Sequence, residues 1–168
     1  MIKLSLAGLT TLAVAVATVG VALVNPSLAA AQTPEQQWFM EFDGVPHGKI
    51  WTRSGGRSQC LTAVLNTSTI ATAPCGDSTP GQYWFMEFDG VPHGKIWTRS
   101  GGRSQCLTAV PNTSTVTTAP CGDSTPGQYW FMEFDGVPHE KIWTRSSGRS
   151  QCLTADPNTS AVTTADCG

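Results

Sequence analysis

The most constraining feature of this sequence is a segment of 46 residues that occurs three times. Trp38, Trp84 and Trp130 each begin a nearly identical copy. The first two copies, residues 38–83 and 84–129, differ at only three positions, whereas the third, residues 130–168, lacks the last seven residues of the repeat. A tandem array of such copies predicts one repetitive structure rather than three unrelated domains.

The missing end of the third copy stands at the other end of the chain. Residues 32–37 resemble residues 78–83, because Thr, Pro and Gln align between the two segments. An open array of repeats does not need matching ends, whereas a closed threefold structure does. We therefore expect residues 32–168 to form a single domain, closed by pairing of its two ends.

Each repeat contains four short stretches typical of β-strands. In the second copy they are residues 84–88, 95–99, 105–109 and 115–119, with turn sequences between them. Alternation places Trp84, Met86 and Phe88 on the inner face of the first stretch. The sequence therefore predicts an all-β domain of twelve short strands with pseudo-threefold symmetry, in which closure removes exposed strand edges.

The chain begins with a stretch typical of a secretory signal peptide. Residues 4–24 are apolar apart from small Ser, Thr and Gly, Pro26 follows, and residues 29–31 are alanines that suit cleavage. We predict that residues 1–31 are removed after Ala31 and that the rest is extracellular, with an uncleaved membrane anchor as the alternative. No second apolar run of this length exists, so no membrane contact is expected after cleavage.

Six cysteines occur in three equally spaced pairs, one pair in each repeat. An even number in an exported chain indicates disulfides, and every repeat must treat its own pair alike. The predicted bonds are Cys60–Cys75, Cys106–Cys121 and Cys152–Cys167, each closing a loop worth about 3 kcal/mol in the chain-entropy model. Zinc is the disfavoured alternative, because no cysteine has a second ligand nearby in sequence; no metal or other cofactor is predicted.

A Gln-x-Trp motif in each unit carries a resemblance to a known family. The motifs are Gln36 with Trp38, Gln82 with Trp84, and Gln128 with Trp130. Together with Cys-Leu and a second Cys at constant spacing, they resemble the QxW repeat of ricin-B-type lectin domains over all of residues 32–168. The resemblance implies a β-trefoil with Trp in the core, Gln bonded to the backbone and the two cysteines of each unit joined. It also implies a non-catalytic carbohydrate-binding function.

The sugar-binding positions implied by this resemblance hold other residue types. Members that bind galactose or xylose have Asp two residues after the first Cys, an aromatic two residues before the second, and Asn before the Gln. Here these positions are Thr62, Ala73 and Gly81 in the first unit, and Thr108, Ala119, Gly127, Thr154, Ala165 and Glu35 in the others. The carboxylate and the aromatic platform are missing, so we expect an atypical or lost sugar site.

The outer face of the first hairpin of each repeat offers another surface. If Trp84 faces the core, strand alternation places Phe85, Trp97 and Arg99 outside. The full candidate set is Phe39, Trp51, Arg53, Phe85, Trp97, Arg99, Phe131, Trp143 and Arg145. These side chains are suited to stacking on a saccharide or anchoring a protein, with threefold avidity; the alternative is that they only stabilise the hairpin by cross-strand pairing.

Other polar groups favour structural interpretations. His47, His93 and His139 follow Val-Pro turns and are expected to be solvated loop residues rather than a metal site. Asp43, His47 and Ser54 resemble a catalytic triad only superficially, because turns do not fix their geometry. Asn66, Asn112 and Asn158 lie in glycosylation sequons that matter only in a host that uses them.

The third copy differs from the second at five positions, of which three add negative charge. They are Glu140, Ser147, Asp156, Ala161 and Asp166. If a single unit carries a binding site, this copy is the candidate, although drift after duplication explains the changes equally well.

The charge balance limits the classes of partner. The formal net charge is −2, which disfavours nucleic acid or an anionic lipid surface. We predict a secreted carbohydrate-binding module that is not an enzyme and takes a saccharide or polysaccharide. The alternatives are a trefoil that binds or inhibits an extracellular protein, and an inert scaffold.

Overall fold

The computed structural model describes residues 33–42, 47–88, 93–133 and 139–167. These residues form twelve strands joined by turns and short 3-10 segments, which confirms the predicted all-β β-trefoil. The strands are β1 (Phe39–Glu41), β2 (His47–Thr52), β3 (Gln59–Ala63), β4 (Ile70–Pro74), β5 (Trp84–Glu87), β6 (His93–Thr98), β7 (Gln105–Ala109), β8 (Val116–Pro120), β9 (Trp130–Glu133), β10 (Lys141–Thr144), β11 (Gln151–Ala155) and β12 (Val162–Asp166).

The predicted signal peptide, residues 1–31, lies outside the described residues. Within the described part of the chain, no helix is both long enough and apolar enough to cross a membrane.

Successive repeats join by pairing the second strand of one with the first strand of the next. His47 of β2 lies opposite Phe85 of β5, and His93 of β6 lies opposite Phe131 of β9. At the third junction, Trp38 and Glu140 exchange two backbone hydrogen bonds of 3.1 and 2.7 Å. The side-chain amide of Gln36 also donates to the backbone carbonyl of Asp166 at 2.9 Å, so the first and last described segments meet.

The hairpins formed by the third and fourth strands of each repeat meet at the opposite end of the molecule. There the backbone N–H of Thr72 donates to Ser160, that of Thr118 to Ser68, and that of Thr164 to Ser114, each at 2.8 Å. Each repeat therefore donates one such bond to another, and the three hairpins form a cyclic arrangement.

Three tryptophans dominate the core, and each connects two repeats. Trp38, Trp84 and Trp130 are fully buried. Their indole Nε1–H groups donate to backbone carbonyls of the preceding unit: Leu153 at 2.9 Å, Leu61 at 2.8 Å and Leu107 at 2.9 Å. A buried indole needs such a partner, because an unsatisfied N–H in the core is costly.

The three disulfides form within the repeats, as the spacing predicts: Cys60–Cys75, Cys106–Cys121 and Cys152–Cys167. In each repeat the bridge joins the second residue of the third strand to the residue that directly follows the fourth strand. It therefore fixes the base of that hairpin covalently.

Phe88 does not face the core, so that part of the alternation prediction is wrong. Strand β5 ends at Glu87, and Phe88 is 43% exposed beyond it. Its ring lies across the backbone of Gly94, where an added Cβ would stand 2.6 Å from Cδ1. The position of Phe88 thus follows the turn rather than the strand period.

Glu140 makes the third hairpin different from the other two. The equivalent residues are Gly48 and Gly94, and a Cβ there would lie 2.2 and 2.3 Å from the carbonyl oxygens of Glu41 and Glu87. The third repeat therefore cannot follow the same backbone path, and β10 is two residues shorter than β2. The Glu140 Oε2 atom is buried and has no hydrogen-bond partner in the described part of the chain. This burial raises the pKa of Glu140 from 4.5 to about 7.

Replacing Trp84 by Phe tests the indole bond. The change leaves the buried carbonyl of Leu61 without its donor and removes core volume, so we expect a loss of about 2–4 kcal/mol in the free energy of unfolding. Trp97→Phe is the control, because this half-buried Trp lies outside the core, and it should cost less than about 1 kcal/mol. Urea unfolding measures both, and equal losses would contradict the role given to the bond.

Glu140 makes stability depend on pH. Because its pKa is higher in the folded protein, the folded state binds the proton more tightly, and stability falls as pH rises from 4.5 to about 7. Because the Glu140 side chain is partly exposed to solvent, we expect this decrease in the free energy of unfolding to be about 1–2 kcal/mol. In urea unfolding, Glu140→Gln should stabilise the protein more at roughly pH 8 than at roughly pH 5.

Glu133→Gln, which changes an exposed carboxylate of the same hairpin, serves as the control. A stability difference between Glu140→Gln and the unmodified protein that does not change with pH would refute the assignment.

Candidate functional site

The structure brings together the three outer-face residues that the sequence singles out in each repeat. In the second repeat, Phe85 and Trp97 lie opposite each other on β5 and β6, with ring centroids 4.1 Å apart and planes 10° apart. The Arg99 guanidinium carbon lies 5.5 and 5.6 Å from the two centroids. The same stack occurs in the first repeat with Phe39, Trp51 and Arg53, and in the third with Phe131, Trp143 and Arg145.

This stacking divides the candidate residues into two groups. Phe85 covers one face of Trp97. The two rings therefore form the cross-strand pair that is expected if these residues stabilise the hairpin. Phe85 and Arg99, in contrast, line a cleft between the first two repeats. The stack therefore supports the hairpin and also presents two of its members at a junction.

The cleft has a volume of about 300 Å³ and is lined by side chains from both repeats. His47 comes from the first repeat, and Phe85 and Arg99 come from the second, with Pro80 and Tyr83 in the segment that joins them. The His47 ring centroid lies 5.1 Å from that of Tyr83 and 5.2 Å from that of Phe85. Three rings and one guanidinium thus surround the opening.

Tyr83 is held by a hydrogen bond to Asp77 and lies beside an ion pair. Lys49 Nζ lies 2.7 Å from Asp77 Oδ1, and the Tyr83 hydroxyl donates to the backbone carbonyl of Asp77. The hydrogen bond between the two side chains raises the pKa of Lys49 and lowers that of Asp77, so both are charged at neutral pH. Lys49 Nζ also lies 5.9 Å from the centroid of the Tyr83 ring. Contacts with Asp77 and Lys49 therefore restrict the position of the Tyr83 ring.

The junction between the second and third repeats repeats this geometry. His93 lies 5.0 Å from Tyr129 and 5.2 Å from Phe131, between ring centroids. Lys95 and Asp123 form the matching ion pair at 2.6 Å. Near-identity of the sequences thus gives the second junction the same set of aromatic contacts and the same ion pair as the first.

The junction between the third repeat and the N-terminal segment is different. Gln37 stands where the other junctions have Tyr83 and Tyr129. Glu140 replaces the glycine beside the histidine, and the His139 ring lies 6.1 Å from that of Phe39. This third cleft lacks one aromatic wall.

The histidines do not lie in turns throughout, so that prediction is wrong for two of them. His47 and His93 begin strands β2 and β6, and each of the three histidines contacts an aromatic ring at a separate junction. The described residues contain no group of three His, Cys, Asp or Glu side chains able to hold a metal ion. Of the superficial triad, Asp43 lies outside the described residues, and the Ser54 hydroxyl donates to the carbonyl of Ala155.

Side chains at the positions that the family resemblance assigns to sugar binding form hydrogen bonds within the protein. The side-chain amide of Gln82 donates to Pro74 O at 3.0 Å and to Thr62 Oγ1 at 3.1 Å, and its oxygen accepts the N–H of Gly76. A Cβ at Gly81 would lie 2.1 Å from the carbonyl of Ala63, so this backbone admits no side chain there. Gln128 makes the same three contacts in the next repeat.

Sequence reasoning missed His47, Pro80 and Tyr83 as lining residues. The signal that identifies Tyr83 is visible, because the motifs read Gln-Tyr-Trp twice and Gln-Gln-Trp once. The contact between Tyr83 and His47 is not visible, since it depends on the register between neighbouring repeats.

Two solved structures show a similar fold at low sequence identity. They are crystal structures of cytolethal distending toxins. The Haemophilus ducreyi structure matches with a TM-score of 0.50 and 17% identity, covering 80% of this chain and 75% of that one. The Actinobacillus actinomycetemcomitans structure matches with a TM-score of 0.51 and 16% identity, covering 80% and 82%. No curated protein matches the sequence.

A family model supplies the assignment. The ricin-type beta-trefoil lectin domain matches residues 47–168, which include all three Cys-Leu segments and two of the three Gln-x-Trp motifs. Twelve strands, buried motif tryptophans and one disulfide in each repeat agree with that match. The chain therefore belongs to the ricin-type β-trefoil lectin domain family.

Proposed function

We propose that the protein is a secreted, non-catalytic lectin that binds saccharides in the aromatic clefts between repeats. The observation that carries the proposal is the cleft formed by His47, Tyr83, Phe85 and Arg99. Sugar rings have apolar C–H faces that stack on aromatic rings, and hydroxyls that need fixed polar partners. This cleft supplies rings for the first requirement, and an imidazole and a guanidinium for the second.

The position of the site differs from the usual family position for a physical reason. At Gln82, Thr62 and Gly81, the polar groups bond to one another and the backbone leaves no space for an added side chain. Arg99, in contrast, makes no ion pair within the described part of the chain and lies over two rings. Its donors are available to a ligand that enters the cleft.

Two complete clefts on one molecule favour binding to repeated or surface-bound glycans. The volume of about 300 Å³ suits one or two sugar units, for which single-site affinity is weak. Two such sites raise the apparent affinity on a multivalent surface through effective concentration. The disulfides and the predicted signal peptide support an extracellular setting, where such surfaces occur.

A glycan array tests the proposal with substitutions that the chain itself suggests. Tyr83→Gln and Tyr129→Gln together give both complete clefts the residue present at Gln37, which the fold already accommodates at its third junction. Loss of the stacking wall should weaken each site by about tenfold, and array binding by more, because both sites contribute to avidity. Gln37→Tyr is the matched control, since it makes the reverse change at the third junction, and it should not weaken binding.

Each outcome of the glycan array distinguishes binding in the clefts from an alternative. Sugar-specific signals that disappear in the double variant, with unchanged urea unfolding, support the clefts. Unchanged signals in that variant would place the site elsewhere. Absence of any glycan signal for the unmodified protein, with retention of an extracellular protein instead, would overturn the saccharide proposal.

A further inference from the structure

We infer that a polar cavity between the first and third repeats is a second binding site, which takes a single neutral sugar unit. The cavity has a volume of about 280 Å³ and lies at the end of the molecule where the hairpins of the three repeats meet. It shares no lining residue with the aromatic cleft. The inference therefore does not depend on binding in that cleft.

The walls of the cavity are fixed before any ligand arrives. One wall is the segment after β2 together with Thr72 on β4, and the other is the turn between β11 and β12, residues 156–160. Thr72 N–H donates to the carbonyl of Ser160 at 2.8 Å, and the Ser54 hydroxyl donates to that of Ala155 at 3.2 Å. A preorganised site loses little entropy when it binds.

Two opposite charges lie at this cavity without neutralising each other. Asp156 and Arg57 both line it and are both exposed. The ion pairs found among the described residues are Lys49–Asp77 and Lys95–Asp123, so neither Asp156 nor Arg57 is paired. Neither charge is therefore neutralised by an ion pair within the described part of the chain.

The carboxylate of Asp156 is held in one orientation. Its Oδ1 accepts the backbone N–H groups of Asn158 at 2.8 Å and Thr159 at 3.0 Å. These two bonds lower the pKa of Asp156, so the group is ionised at neutral pH. Both backbone bonds use Oδ1, and the Thr159 side chain also bonds to the carboxylate. A carboxylate has about four acceptor positions, so it retains capacity to accept from a ligand.

The lining chemistry selects a neutral polyhydroxylated ligand. A fixed carboxylate accepts hydroxyl protons, and a guanidinium donates to ring and hydroxyl oxygens. The buried hydroxyl of Thr72 can donate or accept, whereas that of Ser54, whose proton is donated to the carbonyl of Ala155, can accept. Charges of both signs disfavour an ionic ligand of either sign. The volume lies just below the range of roughly 300–1,000 Å³ of pockets for drug-sized ligands, so the cavity suits one sugar unit.

The third repeat alone gives this cavity its carboxylate. The residues equivalent to Asp156 are Val64 and Val110. At the junction between the third and second repeats, moreover, Ser147 replaces the glycine equivalent to Gly55, and its hydroxyl accepts the N–H of Asn112 at 2.8 Å. Of the three equivalent junctions, the one between the first and third repeats therefore has both a carboxylate and a glycine at these two positions. This gives a structural role to one of the acidic changes in the third copy.

The test is an NMR titration of the exported, oxidised protein with methyl glycosides of galactose, glucose and mannose, each added singly. A site without an aromatic platform binds weakly, so each titration extends to roughly 50 mM. We expect at least one glycoside to give saturable shifts at the amides of Ser54, Thr72 and Asn158. Signals near Tyr83 report separately on the aromatic cleft.

Two variants and a control decide the outcome. Asp156→Val makes the turn match the Val-Pro-Asn-Thr-Ser sequence of the second repeat, which folds there, and Arg57→Gln removes the guanidinium. Each should weaken the binding by at least about tenfold, because each removes a charged hydrogen-bonding partner. Arg103→Gln, the same change at the equivalent residue of the second repeat, should have no effect.

The inference is overturned if no glycoside gives saturable shifts at the cavity, or if those shifts persist unchanged in Asp156→Val and Arg57→Gln. It is also overturned if shifts appear only around Tyr83, since sugar binding would then belong to the aromatic cleft alone. If Asp156→Val does not fold, the comparison of Arg57→Gln with Arg103→Gln decides the question.

Discussion

The structure depends on the hydrogen bond from each motif tryptophan to the backbone of the preceding repeat. Trp84 fills the core with its ring and ties its own repeat to the previous one through the carbonyl of Leu61. The same contact returns from Trp38 to Leu153, so the three bonds form a cycle. No repeat completes its core alone, because its tryptophan has its hydrogen-bond partner in a neighbour.

The two candidate binding sites are consequences of the same arrangement. Both lie between repeats, where side chains from two copies of the motif meet. Because the copies are almost identical, the first two junctions carry the same aromatic cleft. Small differences then separate the junctions: Gln37 and Glu140 alter the third cleft, and Asp156 gives one polar cavity its charge. The near-identical copies thus give two junctions the same aromatic contacts. The differences among the copies change the third junction and give one polar cavity its carboxylate.

Much of the fold follows from the sequence, whereas the sites follow only in part. The repeat, the strands and the disulfides are readable because they reflect local spacing within one copy. The positions of Phe88 and His47 are not, because they depend on where a strand ends and how it pairs with the next repeat. The outer-face candidates of each hairpin lie together as strand alternation expects, yet the contact of His47 with Tyr83 needs the register between repeats. Likewise, the charge at Asp156 is evident in the sequence, whereas the cavity beside it exists only once two repeats have packed.

The contact between Gln36 and Asp166 places the first and last described segments side by side. Since Gln36 and Asp166 lie next to each other at the third junction, an attachment made close to either of them would be at the same place on the trefoil. The aromatic contacts of His47 and His93 belong to the other two junctions. A tether at the third junction would therefore act as a pivot, about which the domain can turn either cleft toward a surface.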